Sequence, residues 1–230
     1  MMRICGLNKT TLLDYPGHVA AAVFLGGCNF RCPFCQNRDL VLKPESQAAI
    51  GEEELFSFLK KRKGILSGVC ITGGEPTLEK DLGIWIGKIK ELGYLVKLDT
   101  NGYRPEAVGE LLGDGLLDYI AMDVKNSMER YGETAGVGKL DTGRIRETIN
   151  LIMKSGIDYE FRTTVAKELH RKEDIEAIGS EIKGARAYFL QSYQESPGVI
   201  APGFHAYSRE EMEELAAAAR FFVPNVQIRG

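Results

Sequence analysis

Three cysteines stand close together in the first part of the chain, at a spacing suited to binding a metal. The stretch CNFRCPFCQNRD holds Cys28, Cys32 and Cys35 in the pattern C-x3-C-x2-C, and polar residues follow at once. A structural zinc site and an electron-transfer [4Fe-4S] cluster both normally take four protein ligands. No further cysteine or histidine lies inside this stretch. Three thiolates favour an iron-sulfur cluster with one iron open to an outside ligand, while zinc and three metal-free structural cysteines stay open as alternatives.

Further polar residues follow apolar segments at intervals along the chain. They are GGEPT at 73–77, DTNG at 99–102, DVK at 123–125, RTT at 162–164 and finally Gln191. Parallel strands end at one edge of a sheet, and α/β proteins bind their ligands at that edge. We therefore expect these residues to form one extended active site together with the cysteines.

The apolar segments alternate with stretches of helical periodicity, which predicts six βα units. The predicted strands are 19–25, 68–72, 95–98, 117–122, 159–164 and 187–190. The predicted helices are 52–63, 78–92, 105–112, 142–155, 172–183 and 209–222. Gly93 and Gly156 stand where two helices should end. The pattern indicates an α/β fold, either a doubly wound sheet or part of a barrel, and without an obvious linker we expect one domain over 1–230.

The cysteine pattern, with the aromatic Phe34 before its last cysteine, resembles the signature of radical S-adenosylmethionine (SAM) enzymes. The resemblance implies a partial (βα)6 TIM-like barrel, with its motifs between about residues 19 and 191. It also implies that Cys28, Cys32 and Cys35 hold a [4Fe-4S] cluster, whose open iron is chelated by the amino and carboxylate groups of SAM. In that family, electron transfer from the cluster cleaves SAM to methionine and a 5'-deoxyadenosyl radical. The backbone of Phe34 would contact the adenine.

Gly73, Gly74 and Glu75 resemble the GGE motif of the same family, which binds the SAM amino group. The residue types suit that role, because glycines permit a close approach of the backbone to a ligand. A carboxylate is in turn a strong acceptor for an ammonium group.

The motifs DTNG and DVK resemble, more narrowly, those of the activases of glycyl-radical enzymes. By that resemblance Lys125 meets the SAM carboxylate. Asp99 and Asp123 would lie near the methionine moiety, where the resemblance allows a monovalent cation, and Asn101 belongs to the same DTNG motif. Arg162 would contact the ribose or the carboxylate of SAM. No catalytic residue is expected beyond those that hold the cluster and SAM.

The opening of the chain narrows the resemblance further. The segment 6–37, with DYPG before the first predicted strand, resembles proteins classed as anaerobic ribonucleoside-triphosphate reductase activating proteins. The resemblance implies a glycyl-radical enzyme as the protein substrate and a flavodoxin or ferredoxin-type electron donor. Two alternatives stay open: an activase of a pyruvate formate-lyase-like enzyme, and a radical SAM enzyme for a small molecule, such as a deazapurine synthase.

The composition gives no sign of nucleic-acid or membrane binding. Lys and Arg number 29 against 32 Asp and Glu, so no basic field is present. The longest apolar run is too short for a membrane helix, and no export signal opens the chain. We expect a cytoplasmic, oxygen-sensitive enzyme of anaerobic metabolism. The sequence assigns no role to Cys5, Cys70 or His205.

Overall fold

The computed structural model describes residues 3–230, and in that range eight strands form one sheet in chain order. The strands are β1 (Ile4–Thr11), β2 (Ala20–Leu25), β3 (Gly68–Gly73), β4 (Leu95–Thr100), β5 (Tyr119–Asp123), β6 (Asp158–Val165), β7 (Tyr188–Ser192) and β8 (Val226–Arg229). The α-helices are α1 (Arg38–Leu42), α2 (Glu52–Lys61), α3 (Leu82–Glu91), α4 (Pro105–Gly113), α5 (Tyr131–Thr134), α6 (Thr142–Lys154), α7 (Lys172–Glu181) and α8 (Arg209–Arg220).

The chain divides into two compact units. The first unit contains residues 3–29, 39–100 and 106–120, and the second contains 30–38, 101–105 and 121–230. The expectation of one domain over 1–230 stays a prediction.

The first unit is built on strands that are buried on both faces. Strand β2 reads AAAVFL, and all its residues but Phe24 are buried. It pairs in parallel with β3, from Ala20 opposite Gly68 to Leu25 opposite Gly73, while β1 runs antiparallel along its other edge. Continuous apolar strands of this kind are typical of a parallel sheet covered by helices. Helix α3 buries one stripe at helical spacing, formed by Leu82, Trp85, Ile86 and Ile89.

The second unit repeats this plan with β6, β7 and β8 in parallel. Phe161 lies opposite Tyr188, and Leu190 lies opposite Ile228. Helix α8 begins with a capping box, in which the Ser208 hydroxyl accepts from the Glu211 N–H and the Glu211 carboxylate accepts from the Ser208 N–H. This reciprocal pair satisfies backbone groups that the first turn leaves unbonded.

The six predicted strands and the six longer helices are confirmed, but four elements were missed. Strand β1 has an exposed middle of Asn8, Lys9 and Thr10, which masks its alternation. Strand β8 has four residues, and α1 and α5 have five and four, which is too short for periodicity to show.

The start of α3 was predicted too early. The segment Pro76–Leu78 forms a 3-10 turn instead, and α3 begins at Leu82. Glu79, directly after that turn, has extended backbone angles (φ −77°, ψ 118°), so a helix cannot continue from Leu78. The predicted glycine caps are confirmed by the positive φ of Gly93 (88°) and Gly156 (83°). In residues 3–230, no helix has the length and apolar character needed to cross a bilayer.

Candidate active site

The end of the cysteine loop is held in place by backbone hydrogen bonds in the second unit. Cys32 is buried, and its carbonyl accepts from the Cys35 N–H at 3.0 Å in a tight turn. The Cys35 carbonyl in turn accepts from Ile200 at 3.1 Å, and the Pro33 carbonyl accepts from Ala201 at 2.8 Å. The loop that carries these two thiols is therefore fixed by the segment that follows β7.

Gly136 provides a second anchor for the cysteine loop, within the second unit. The Arg31 N–H donates to the Ala135 carbonyl at 2.8 Å. Gly136 has φ of 64°, and a Cβ atom there would lie 2.0 Å from the Arg31 oxygen. Only glycine permits that approach. Gly136 is thus needed for packing against the cysteine loop.

Phe34 is buried and packs edge-on against the ring of His170, with 6.5 Å between ring centroids. The side chain therefore helps to pack the loop. A contact between the Phe34 backbone and adenine stays a prediction.

All five cysteines are thiols rather than disulfides. The three loop cysteines thus have the chemical form that an iron-sulfur cluster requires of its ligands. Among residues 3–230, no three cysteine, histidine or acidic side chains are grouped closely enough to be assigned to one metal ion. The ligand assignment of Cys28, Cys32 and Cys35 therefore rests on their sequence pattern.

The GGE motif lies at the end of β3, in the first unit, and its glycines are required by a close backbone approach. The Glu75 N–H donates to the Gly27 carbonyl at 2.8 Å, and the Gly74 N–H donates to Leu25 at 2.8 Å. A Cβ atom on Gly74 would lie 1.8 Å from the Gly27 oxygen. Gly73 has φ of 118°, which a side chain would strain. The motif is therefore pressed against Gly27, the residue that precedes Cys28.

Glu75 is buried, and three donors orient its carboxylate. The Oε1 atom accepts from the Thr77 N–H at 3.1 Å, from the Thr77 hydroxyl at 2.6 Å and from the Thr100 hydroxyl at 2.8 Å. Hydrogen bonds to a charged acceptor are roughly twice as strong as neutral ones, so this carboxylate is held in one orientation. The sequence assigned no role to Thr77 and Thr100, although Thr77 lies in the motif GGEPT and Thr100 in DTNG.

Asp99 also lies in the first unit, and its carboxylate is paired with the ammonium of Lys97. Asn101 lies in the second unit, where its Oδ1 atom accepts from the Tyr103 N–H at 3.0 Å. That bond closes a turn of the kind asparagine commonly forms. Contacts of Asp99 and Asn101 with SAM stay predictions.

The second unit brings together Asp123, Lys125 and Arg162 as an ion-paired group. Lys125 Nζ lies 2.9 Å from Asp123 Oδ2, and Arg162 Nε lies 2.8 Å from Asp123 Oδ1. The three side chains are 30%, 15% and 14% exposed in that order. The DVK pair is therefore a half-buried pair rather than an ordinary surface ion pair. Arg162 pairs with a carboxylate, as strand-end arginines commonly do.

Electrostatics keep Asp123 and Lys125 charged. Burial by itself would raise the pKa of Asp123, but the charges of Arg162 and Lys125 hold that pKa well below its usual range. Burial would likewise lower the pKa of Lys125, but the charge of Asp123, and after it that of Cys32, raises this pKa. The influence of Cys32 shows that Lys125 lies within electrostatic reach of the cysteine loop. The group can present fixed positive charge to an anionic ligand.

His170 is a positioning residue that the sequence did not reveal. It is fully buried, its Nδ1 atom accepts from the Ala166 N–H at 3.2 Å, and Nε2 lies 2.7 Å from the Lys125 carbonyl. This geometry fits a neutral ring with its proton on Nε2, and burial lowers the pKa of His170 accordingly. His170 thus ties the backbone of Lys125 to the ring of Phe34. His205, by contrast, has an exposed ring that pairs with Glu168 at 2.7 Å.

The two cysteines outside the loop, Cys5 and Cys70, are packed against neighbouring residues. Cys70 is completely buried in β3. Cys5 Sγ lies against Gly26, where an added Cβ atom would be 2.7 Å away.

Comparison with known proteins gives one family and several relatives. Residues 22–182 match the family described as the radical SAM superfamily. A Methanocaldococcus jannaschii protein, provisionally named a glycyl-radical enzyme activating enzyme, is 33% identical over 98% of this chain and 95% of its own length. A 7-carboxy-7-deazaguanine synthase of Thermococcus kodakarensis is 26% identical over 74% of this chain and 72% of its own length.

Among solved structures, SuiB of Streptococcus suis bound to S-adenosylmethionine superimposes with a TM-score of 0.69 at 18% identity. The match covers 88% of this chain but 48% of SuiB, so the chain spans about half of that structure. At this identity the likeness concerns the fold. Together with the single sheet of eight strands, it confirms the predicted α/β fold with a radical SAM core.

Proposed function

This chain belongs to the radical SAM superfamily, and we propose that it is an activase that generates a glycyl radical on a partner enzyme. Membership implies a [4Fe-4S] cluster and SAM as the cofactors of a radical enzyme. When bound, these two groups supply an electron and the 5'-deoxyadenosyl radical that removes a hydrogen atom from the substrate. The residues of the chain bind, orient and shield those groups.

The observation that carries the proposal is the charge of the group Asp123, Lys125 and Arg162. Arg162 also lies 3.9 Å from the buried Glu160, which Arg229 pairs in turn, so three cations and two carboxylates leave the connected set with a net charge of +1. A fixed, partly buried positive charge suits the carboxylate of SAM, because charge-assisted hydrogen bonds are strongest where water is scarce. In this proposal Lys125 and Arg162 bind that carboxylate, and Asp123 holds both cations in position.

Glu75 is suited to the opposite charge. The carboxylate of Glu75 is oriented by Thr77 and Thr100, and a carboxylate oriented in this way suits the SAM amino group. The tight backbone at Gly73 and Gly74 would admit SAM without a side chain in its way. Cys28, Cys32 and Cys35 would hold the cluster.

The proposed partner is a glycyl-radical enzyme, with anaerobic ribonucleoside-triphosphate reductase as the first choice. Support comes from the relative named as an activating enzyme, which aligns with 98% of this chain. The choice of this reductase rests on the segment with DYPG, and the proposed electron donor is of flavodoxin or ferredoxin type.

The decisive experiment is anaerobic reconstitution of the full chain with iron and sulfide, followed by reductant and SAM. The wild type should show a [4Fe-4S] chromophore and release 5'-deoxyadenosine. The Cys32→Ala variant should lose both. The matched Cys70→Ala variant should keep both, because Cys70 is a buried thiol of β3 whose loss costs about 1 kcal/mol in packing.

The partner is then tested by electron paramagnetic resonance. The loaded protein is mixed with an anaerobic ribonucleoside-triphosphate reductase, and the expected product is a glycyl radical on that enzyme. Release of 5'-deoxyadenosine without a radical on any such partner would contradict the activase proposal while leaving SAM cleavage intact.

A second candidate is a small-molecule radical SAM enzyme related to the deazaguanine synthases, favoured by the 26% identity over 74% of this chain. The same loaded protein, incubated with a reduced carboxylated pterin, would then form 7-carboxy-7-deazaguanine. Detection of that product by mass spectrometry would favour the second candidate over the first.

A further inference from the structure

The most unusual charged residue outside the ion-paired group is Lys97, in the middle of β4. It is 1% exposed and ranks among the largest fully buried side chains of the chain. Lys97 and Asp99 are two residues apart on one strand, so their side chains point to the same face. The Lys97 ammonium is paired with the Asp99 carboxylate on that face.

Two further groups near the Lys97 ammonium are weakly polar. Cys70 Sγ, on the neighbouring strand, lies 3.8 Å away, and the Tyr119 ring centroid lies 5.8 Å away. Removing an ammonium from water is costly, and a well-packed apolar side chain at such a position is often no less stable. Stability alone therefore gives little reason to keep a lysine here, whereas a need for positive charge beside Asp99 does.

We infer that the Lys97 ammonium is a built-in cation for Asp99 and that this chain works without the monovalent cation that its resemblance to activases allows. The inference rests on the proposed function, which places Asp99 near the methionine moiety of SAM. Each of the two carboxylates expected to bind such a cation is already paired with a side-chain cation, Asp99 with Lys97 and Asp123 with Lys125 and Arg162.

Asp99 already has a positive charge beside it, that of Lys97. A potassium or sodium ion bound there would lie beside a buried ammonium, and like charges in a poorly solvated site repel strongly. The residues present therefore do not fit an additional cation. The lysine would hold the Asp99 carboxylate in one orientation, as a bound ion would, but at a fixed position on the strand.

The test compares the wild type with Lys97→Met, which has a side chain of similar length without the charge. Lys90→Met is the matched control, since Lys90 pairs with Asp118 on the periphery of the same unit, where both side chains are over a quarter exposed. Two measurements are made on the full chain in buffers whose only other cation is tetramethylammonium. One is the rate of SAM cleavage by the reconstituted protein as potassium is added. The other is binding of thallium(I), a potassium surrogate, to the cluster-free protein, followed by thallium NMR.

The wild type and Lys90→Met should cleave SAM at a rate that potassium does not change, and neither should bind thallium saturably. Lys97→Met should cleave SAM at a rate reduced on the order of tenfold, a loss of transition-state stabilisation. Potassium should restore much of that rate, and the variant should bind thallium with a stoichiometry of about one. Rescue by potassium separates a lost charge from lost packing.

A wild type that requires potassium, or that binds thallium saturably, would overturn the inference. So would a folded Lys97→Met variant whose cleavage rate is unchanged without potassium. If Lys97→Met does not fold, the two wild-type measurements still decide. If the loaded wild type cleaves no SAM at all, the proposed function fails, and thallium binding still reports whether Asp99 accepts an ion.

Discussion

A single methyl group at Gly74 should strongly destabilise the first unit, even though the backbone there suits any residue. Gly74 is not among the glycines with positive φ, so alanine can adopt its dihedral angles. The added Cβ atom would, however, lie 1.8 Å from the oxygen and 2.6 Å from the carbon of Gly27. Both are backbone atoms that cannot rotate away. The strand end and the loop before Cys28 must therefore separate.

The expected cost follows from three contributions. Overpacking of a tight contact costs about 1 to 3 kcal/mol. Separation also breaks the 2.8 Å bond from the Glu75 N–H to Gly27, worth about 1 kcal/mol. Reduced freedom of the unfolded chain returns about 0.4 to 1 kcal/mol. The Gly74→Ala variant should thus lose about 1 to 3.6 kcal/mol of unfolding free energy, the sum of these contributions.

Urea denaturation of the cluster-free protein, followed by far-ultraviolet circular dichroism, measures this loss. Gly87→Ala is the matched control, because Gly87 lies within α3 with nothing within 4 Å of an added Cβ atom. That variant should gain up to about 1 kcal/mol, since alanine is the better helix former. A Gly74→Ala protein as stable as the wild type would refute the close approach and with it the explanation of the GGE glycines.

Three further substitutions test the charges and the histidine of the second unit by denaturation of the cluster-free protein. Arg229→Met should cost about 3 kcal/mol of unfolding free energy, because it removes the bidentate partner of the buried Glu160. Arg220→Met, which removes an exposed ion pair, should cost less than about 1 kcal/mol. Equal losses in the two variants would contradict the role of burial. Asp123→Asn should be destabilised at neutral pH, and because the pKa of Asp123 is lowered by folding, its deficit against the wild type should shrink as the pH falls below about 4. Folding lowers the pKa of His170, so protonation favours the unfolded chain, and the wild type should lose stability as the pH falls below about 6.5. The His170→Gln variant should lose less stability over the same pH range, and an unchanged pH profile would refute this.

Much of the fold could be predicted because parallel strands and their helices carry strong local signals. The run AAAVFL of β2 and the apolar stripe of α3 each match one periodicity over enough residues to be recognised. The missed elements are those where the signal is short or mixed. Strand β8 has four residues, and β1 exposes its middle. Whether such a segment forms a strand depends on pairing with a neighbouring strand, and a local sequence pattern does not show that pairing.

The chemistry of the loop was likewise a matter of local sequence. The number and spacing of Cys28, Cys32 and Cys35 predict thiolate ligands without any knowledge of the fold, because ligand type and reach are properties of neighbouring residues. The glycines of GGE could be predicted to permit a close approach. Which backbone they approach could not, since Gly27 stands 47 residues earlier in the chain than Gly74.

The tertiary structure alone decided which charges are paired. Nothing in the sequence around Lys97 shows that its side chain is buried against Asp99 and Cys70, or that His170 supports the carbonyl of Lys125 across 45 residues. Burial and pairing depend on neighbouring strands, and they govern whether an ionisable group is solvated, charged or held in one orientation. The residues able to do chemistry were thus determined by the sequence, and the orientation and charge in which they are held were decided by the packing of the strands around them.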